Sequence, residues 1–260
     1  MGIKQTITKE ELPLEYQSFN LLETKDGVTH SVYLLDDKYV LKIVDTDEIA
    51  ALVEEQNLLN KLENLVVPKL IDIVEMKEYV LAFYTQVQGK SVYEPTKNHI
   101  KQIALFLKEF HNISKKIHST NTTIFSKEYL KNLIIKTNDK SFLNYFDSLE
   151  CSLQNDGVIH GDLFCDNVKF SDEKLSGVYD FIEACEGDFI FELAVVSISW
   201  CFEKDHLNKE KVEILLENYD LKISFELFQE YIKYALLYYM TTRYLSNRDY
   251  QELLNRWESL

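Results

Sequence analysis

Hydrophobic and polar residues alternate along the first third of the chain in the period-two pattern of β-strands. The pattern covers Phe19–Glu23, Val32–Leu35, Tyr39–Val44, Leu70–Glu75 and Tyr79–Tyr84. Such alternation is typical of strands that bury one face, and polar turns separate several of these segments. We therefore predict an antiparallel sheet of about five strands near the N-terminus.

Elsewhere, apolar residues recur at the spacing of helices. The predicted helices are Asp47–Leu62, Lys97–Lys116, Lys127–Leu153, a segment capped by Asp188, Asn208–Tyr219 and Ser224–Leu245. Only 7 Gly and 3 Pro interrupt the 260 residues, which favours helices joined by short connections. The chain is expected to be an α+β protein with a small antiparallel-sheet lobe at residues 1–86 and a larger helical lobe at residues 87–260.

The acidic balance of the chain limits its partners. A net charge of −15 disfavours nucleic acid and anionic membranes, because both would be repelled over much of the surface. The sequence lacks a signal-peptide pattern and an apolar run long enough to span a bilayer, so the expected location is cytoplasmic. The four cysteines lie far apart without zinc-site spacing and are expected to be reduced. These features favour a small-molecule substrate and indicate no obligate protein partner.

Three side chains that carry oxygen atoms flank a predicted hairpin formed by Val168–Phe170 and Leu175–Tyr179. Asp162 and Asn167 precede the hairpin, and Asp180 follows it. Hard oxygen ligands of this kind are those that Mg²⁺ prefers, commonly together with nucleotide phosphates. An Asp followed five residues later by Asn is the protein-kinase catalytic-loop pattern, and an Asp-Phe pair supplies the second metal ligand. The alternative is a solvated turn with acidic ends.

A second candidate site lies in the predicted sheet, where Lys42 shares one strand face with Val40 and Val44. A lysine between apolar neighbours needs a partner. Helical spacing places Glu55 on the buried stripe of the next helix, whereas Glu54 falls on the neighbouring face. We therefore predict that Lys42 pairs with Glu55, as kinases pair a strand lysine with a helix glutamate to hold phosphates. The alternative is a lysine that reaches solvent from an edge strand.

Several motifs resemble those of the aminoglycoside phosphotransferase and choline kinase superfamily. The segments His160–Asn167 (HGDLFCDN) and Gly177–Phe181 (GVYDF) look like its catalytic loop and metal aspartate, with HGD in place of the HRD of protein kinases. Ala184–Ala194 also resembles the superfamily, and Ser199–Glu203 (SWCFE) is similar to a segment of the homoserine kinases built on this fold. The resemblance implies a two-lobed protein-kinase-like fold and ATP-dependent phosphorylation of a hydroxyl group.

The resemblance also implies roles for individual residues. Asp162 would orient and deprotonate the acceptor hydroxyl, and His160 would support the catalytic loop by hydrogen bonding. Asn167 and Asp180 would hold Mg²⁺, with ATP as co-substrate. Glu192 stands where the superfamily usually has Asp and is expected to brace the catalytic loop.

Nucleotide contacts are expected at two further places by the same resemblance. The turn before the second strand is poor in glycine, so Thr29, His30 and Ser31 are candidate phosphate contacts, although a plain hairpin turn is the alternative. Gln86 occupies the hinge position, where backbone groups of kinase-like folds bind the adenine ring.

The acceptor is expected to be a small hydroxyl compound, with Glu183, Trp200 and Arg243 as candidate contacts. The SWCFE segment and Arg243 favour a homoserine-like amino acid, because an arginine can bind a carboxylate. The alternative role for Arg243 is a structural ion pair. The acidic charge balance favours choline or an aminoglycoside, and a sugar is also compatible with the fold. A different class of function is a non-catalytic pseudokinase that binds nucleotide or acts as a scaffold.

Overall fold

The computed structural model describes residues 5–24 and 30–260 of the chain. It divides into two compact units, of which the first comprises Met1–Gln88 and Gly177–Ile182, and the second comprises Gly89–Ser176 and Glu183–Leu260. The sequence-based division at residues 86 and 87 did not group Gly177–Ile182 with the N-terminal part of the chain.

The first unit is built on a five-stranded antiparallel sheet in the order β1-β2-β3-β5-β4. Its strands are β1 (Leu21–Glu23), β2 (Ser31–Leu35), β3 (Tyr39–Val44), β4 (Leu70–Glu75) and β5 (Val80–Thr85). This arrangement confirms the sheet predicted from the alternating pattern. Helix α1 (Ile49–Lys61) connects β3 to β4 and follows a short 3₁₀ turn at Thr46–Glu48.

Aromatic stacking anchors the N-terminal segment to this sheet. The ring of Tyr16 stacks on Phe83 of β5, with 3.7 Å between centroids, and meets Tyr39 edge-on. Ile7 and Leu12 are buried in the same cluster. Aromatic rings bury large apolar areas, so this contact fixes the segment before β1 against one face of the sheet.

The second unit is largely helical, with short strand pairs beside the segment His160–Asn167. In chain order its elements are α2 (Lys97–Ser114), α3 (Lys127–Thr137), α4 (Lys140–Asp147), β6 (Gly157–Ile159), β7 (Val168–Ser171), β8 (Lys174–Val178), β9 (Cys185–Gly187), α5 (Phe189–Trp200), β10 (Phe202–Glu203), β11 (His206–Leu207), α6 (Lys209–Tyr219), α7 (Phe225–Leu245) and α8 (Gln251–Glu258). The last two residues of β8 are counted with the first unit. Strand β6 pairs with β9, β7 with β8, and β10 with β11. Helix α8 was not predicted from the sequence.

The prediction of a single helix over Lys127–Leu153 is wrong, because a local turn divides this segment into α3 and α4. Asn138 adopts a left-handed backbone conformation with φ 55° at the end of α3. Asp139 then caps α4 by accepting a hydrogen bond from the backbone N–H of Ser141 at 2.9 Å. Asn tolerates left-handed conformations and Asp is a favoured N-cap, so the two residues end one helix and begin the next.

Helix α5 forms the centre of the second unit. Its residues are apolar almost all round, including the fully buried Phe191 and Trp200, and the helix packs against α7. A helix that is apolar on every side is stable only when other elements cover it. Within the described part of the chain, no helix combines the length and apolarity needed to cross a membrane.

The buried N-cap of α5 provides a test of this packing. Asp188 accepts hydrogen bonds from the backbone N–H groups of Phe191 (2.8 Å) and Gln154 (2.6 Å). Asp188→Ala leaves both donors without this acceptor, so we expect the free energy of unfolding to fall by about 2–3 kcal/mol in urea titrations. Ser224→Ala removes the exposed cap of α7 and should cost only about 1 kcal/mol. Equal losses in the two variants would contradict a special role for the α5 cap.

Candidate functional site

A buried ion pair marks the functional region of the first unit. Lys42 on β3 is only 8% exposed, and its Nζ donates to Oδ1 of Asp180 at 2.7 Å. The Asp180 side chain keeps 40% of its surface exposed. Burial alone lowers the pKa of Lys42, but the carboxylates of Asp180 and Glu55 outweigh this effect, so the pKa lies above its ordinary value. Lys42 is therefore a charged ammonium group held beside a half-exposed carboxylate.

Asp180 also has an uncommon backbone. Its φ of 70° lies in the left-handed region, which non-glycine residues adopt at some energetic cost. Strained conformations of this kind are concentrated at functional sites, where neighbouring contacts maintain them. Here the contacts are the Lys42 ion pair and a hydrogen bond to the next residue, Phe181.

Glu55 supplies that hydrogen bond from the buried face of α1. Its Oε1 accepts from the backbone N–H of Phe181 at 3.0 Å, and its Oε2 accepts from the Tyr84 hydroxyl at 2.7 Å. Glu55 is 2% exposed whereas Glu54 is half-buried, as the helical spacing predicted. Among the described residues, however, the direct ion pair of Lys42 is with Asp180, whereas the charge of Glu55 acts on Lys42 without a direct contact. The predicted direct pairing of Lys42 with Glu55 is corrected in this respect. The two side chains instead hold consecutive residues of one segment.

The surroundings of Glu55 raise the pKa of its carboxyl group. Burial raises the pKa of the Glu55 carboxyl to about 7. The Lys42 ammonium, the Tyr84 hydroxyl and the Phe181 N–H each lower this pKa without cancelling the effect of burial. A carboxyl in such a position takes up a proton near neutral pH.

The other predicted nucleotide contacts of this unit have protein partners or lie outside the structure. His30 Nε2 lies 2.8 Å from Oε2 of Glu48, and the Ser31 hydroxyl accepts from the backbone N–H of Gln5 at 2.9 Å. Thr29 lies outside the described residues. The backbone N–H of Gln86 donates to Lys38 O at 3.0 Å, so this group is not available to a purine. His30, Ser31 and Gln86 therefore each have a protein partner in this structure, which agrees with the hairpin-turn alternative for His30 and Ser31.

In the second unit, the catalytic-loop segment folds around Asp162. The Asn167 side-chain amide donates to the backbone oxygen of Asp162 at 2.7 Å and to its carboxylate Oδ2 at 3.0 Å. The backbone N–H of Asp162 donates to Nδ1 of His160, which is completely buried. The loop is therefore compact, and both Asn167 and His160 contact Asp162.

A buried polar chain holds this loop from behind. Oε1 of Glu192 on α5 accepts from the backbone N–H of Gly161 at 2.7 Å, and Oε2 contacts His111 Nε2 at 2.6 Å. His111 Nδ1 lies 2.7 Å from the Tyr219 hydroxyl. Buried polar groups are stable only when they are hydrogen-bonded, and each member of this chain has a partner. Glu192 therefore contacts the residue next to Asp162.

The end of α5 adds two further contacts to the loop. The Ser199 hydroxyl accepts from the backbone N–H of Cys165 at 3.0 Å, and the Trp200 indole N–H donates to Leu163 O at 3.0 Å. Trp200 is 0% exposed. The ring is covered by protein on all sides, which argues against the prediction that placed Trp200 in the acceptor site, and its indole N–H contacts the loop at Leu163 instead.

The two charged acceptor candidates differ in their surroundings. Glu183 is exposed beside β9. Arg243 lies on α7 and is half-buried. Within residues 5–24 and 30–260, its guanidinium has neither an ion pair nor a side-chain hydrogen bond. The structural ion pair that the sequence suggested as one role for Arg243 is therefore not observed there.

Asn167 and Asp180 have the chemistry of magnesium ligands. Both Asn167 hydrogen bonds to Asp162 use the amide nitrogen, which leaves the amide oxygen as an available hard donor. Asp180 offers a partly exposed carboxylate. Mg²⁺ is typically held by one or two such oxygens together with phosphates and water, rather than by an all-protein cage. Each residue, considered within its own unit, therefore offers an oxygen of the kind that this ion binds.

The raised pKa of Glu55 predicts how stability depends on pH. A carboxyl that binds its proton more tightly in the folded chain favours folding most below its ordinary pKa of 4.5, and this contribution is lost as the pH rises through about 7. The unfolding free energy of the wild type relative to Glu55→Gln should therefore fall between pH 5 and pH 8, by on the order of 3 kcal/mol. Urea titrations of both proteins measure it, and Glu54→Gln controls for a general charge effect. A pH-independent difference would contradict the shift.

Comparisons with known proteins agree with this geometry. Homoserine kinases of Bartonella henselae and Nitrobacter hamburgensis are each 48% identical to the chain, over 64 and 65 residues. These matches span 24% and 25% of the chain and only 20% of each relative's length. Strong similarity to the homoserine kinases is thus local.

Similarity to solved structures covers nearly the whole chain. The GDP complex of wild-type aminoglycoside 2'-phosphotransferase-IIIa has a TM-score of 0.64 at 17% identity, covering 92% of this chain and 90% of that one. The macrolide 2'-phosphotransferase of Brachybacterium faecium has a TM-score of 0.63 at 14% identity, covering 92% and 91%. These similarities confirm the predicted protein-kinase-like α+β fold. The profile of the phosphotransferase enzyme family matches residues 21–220, and the chain therefore belongs to this family.

Proposed function

We propose that the protein transfers the γ-phosphoryl group of ATP to the hydroxyl group of a small molecule. The observation that carries the proposal is the loop in which the Asn167 amide donates to the Asp162 carboxylate at 3.0 Å. This contact holds a carboxylate and leaves an amide oxygen for a metal ion, the two functions that kinase catalytic loops require. The Lys42–Asp180 pair supports the proposal, because it provides a cation for phosphate and a carboxylate for metal.

In the proposed reaction, Asp162 accepts the proton of the acceptor hydroxyl. The hydroxyl oxygen forms a bond to the γ-phosphorus, the bond from that phosphorus to the β–γ bridging oxygen breaks, and ADP leaves with the electron pair. Asn167 and Asp180 would hold Mg²⁺, which when bound neutralises charge on the phosphates. Lys42 would bind phosphate oxygens, and Glu55 keeps the segment after Asp180 in place through Phe181 N.

Two charged residues favour a homoserine-like amino acid as the acceptor. Arg243 carries a half-buried guanidinium without an ion pair among the described residues, and a substrate carboxylate would satisfy it. Exposed Glu183 is suited to an ammonium group. An amino acid with a side-chain hydroxyl contains both groups, whereas choline and aminoglycosides lack the carboxylate. The local 48% identity to homoserine kinases agrees with this choice.

A non-catalytic pseudokinase is the alternative. Such proteins tend to lack at least one of the residues that bind metal, bind phosphate or accept the proton. Here Lys42, Asp162, Asn167 and Asp180 are all present. Their presence favours an enzyme.

Two conservative substitutions separate catalysis from binding. Asp162→Asn keeps the shape of the side chain but cannot accept a proton, so phosphoryl transfer should fall by about 10²–10⁴-fold while Mg·ATP affinity stays near the wild-type value. Asp180→Asn should weaken Mg·ATP binding as well, because it removes a metal ligand. Calorimetry gives the affinities, and product detection with a panel of amino acids, amino alcohols, sugars and aminoglycosides gives the rates.

Each outcome of this experiment has a distinct meaning. Wild-type transfer by Asp162→Asn would refute its role as the base. Mg·ATP binding by the wild type without transfer to any acceptor of the panel would favour the pseudokinase. The absence of Mg·ATP binding would refute both functions.

The acceptor proposal predicts a selective effect at Arg243. Arg243→Met removes the expected carboxylate partner, so the KM for an amino acid acceptor should rise roughly 30-fold, equivalent to about 2 kcal/mol, while the KM for ATP is unchanged. An amino alcohol that lacks the carboxylate should be used equally by variant and wild type. Arg248→Met removes an exposed arginine nearby in the chain and serves as the charge control. Similar effects of both substitutions would contradict a carboxylate site at Arg243.

A further inference from the structure

Three tyrosines of helix α7 donate hydrogen bonds from their hydroxyl groups to backbone oxygens in three separate segments. Tyr231 donates to Ser152 O at 2.8 Å and Tyr234 donates to Phe125 O at 2.9 Å. Tyr239 donates to Gly161 O. Of these three acceptors, only Gly161 directly precedes Asp162.

With the Tyr239 contact, both polar atoms of the Gly161–Asp162 peptide group have a hydrogen-bond partner. Gly161 O and Asp162 N belong to the same planar peptide, so a partner on each atom fixes the plane from which Asp162 projects. Tyr239 binds the oxygen, and His160 Nδ1 accepts from the N–H at 3.2 Å. The preceding peptide is held by Glu192 through Gly161 N.

The backbone at Gly161 explains why such restraint is needed. Its φ of 79° is a conformation that glycine adopts freely, and a Cβ there would lie 2.1 Å from the ring of Phe125. Glycine adds no side chain that could lock this conformation. The orientation of the Gly161–Asp162 peptide therefore depends on its hydrogen-bond partners.

From this geometry we infer that Tyr239 is the positioning residue of Asp162: its hydroxyl fixes the Gly161–Asp162 peptide and thereby the carboxylate that accepts the proton. The catalytic part of this inference rests on the proposed function. A general base is effective only within hydrogen-bond reach of its proton, so a small rotation of this peptide reduces the transfer rate without affecting nucleotide binding.

The surroundings of Tyr239 keep its hydroxyl protonated and in position to donate to Gly161 O. Its ring meets Phe164 edge-on at 4.8 Å and Tyr238 at 5.2 Å, so the ring position does not depend on the hydroxyl alone. Burial, followed by the charge of Asp162, raises the pKa of Tyr239 well above 10. The hydroxyl consequently stays protonated over the pH range of an assay.

Tyr239→Phe removes only this hydroxyl, and Tyr231→Phe is the matched control on the same helix. We expect kcat of Tyr239→Phe to fall about 10-fold, with unchanged KM for Mg·ATP, whereas Tyr231→Phe keeps the wild-type kcat. In the Asp162→Asn background, Tyr239→Phe should cause no further loss, because it acts through the carboxylate already removed. Equal kcat values for the two Phe variants, or additive losses in the double variant, would overturn the inference.

Amide hydrogen exchange provides a readout that requires no turnover. The Asp162 N–H should exchange about 10-fold faster in Tyr239→Phe than in the wild type, and Tyr231→Phe should leave its exchange unchanged. Unchanged exchange in Tyr239→Phe would overturn the positioning role even if the wild type transferred no phosphoryl group. A wild type without transfer refutes the proposed function, and exchange then decides the positioning role separately.

Discussion

Glu192 imposes the constraint on which the catalytic-loop region of the second unit depends. Its carboxylate is completely buried and needs hydrogen-bond partners for both oxygens, because an unsatisfied buried carboxylate is strongly destabilising. Gly161 N satisfies one oxygen and His111 satisfies the other. Helix α5 can pack in its apolar surroundings only when the loop presents that N–H and α2 presents that imidazole. The loop conformation and the packing of the core are therefore coupled.

This coupling explains why the loop residues occur in a helical unit rather than on a mobile surface segment. Ser199 and Trp200 extend the contacts of α5 along the loop to Cys165 N and Leu163 O. Since functional side chains must be held within fractions of an ångström, support from a buried helix is more effective than support from another loop. The Glu192 side chain is long enough to reach Gly161 N from α5, at 2.7 Å.

The sequence predicted those features that depend on local pattern. Alternation identified the five strands of the sheet, and helical spacing placed Glu55 rather than Glu54 on the buried face of α1. The spacing of Asp162 and Asn167 matched the catalytic-loop pattern of protein kinases, and in the structure the two side chains are in contact. In each case the residues are close in the chain or belong to one regular element. There the period of the helix or strand determines the face on which each side chain lies.

Features that depend on distant residues were not predictable in this way. The partner of Lys42 is separated from it by 138 positions, and periodicity within β3 indicates only which face the side chain occupies. Trp200 lies in a motif that resembles one of the homoserine kinases, but a motif does not reveal burial. Asn138 interrupts a helical pattern through its left-handed backbone, which neighbouring apolar residues do not signal.

The Lys42–Asp180 pair shows how such a distant contact relates structure to chemistry. Burial alone disfavours the Lys42 ammonium group, and the carboxylates of Asp180 and Glu55 together outweigh this effect. A core built for stability alone would have an apolar residue at position 42, like the adjacent Leu41 and Ile43 on β3. The buried Lys42 charge, the left-handed backbone of Asp180 and the buried Glu55 carboxyl are each unfavourable on their own, and all three meet at the Asp180–Phe181 segment. Such a concentration is typical of functional sites, and it is what the proposed binding of phosphate by Lys42 and of metal by Asp180 would require.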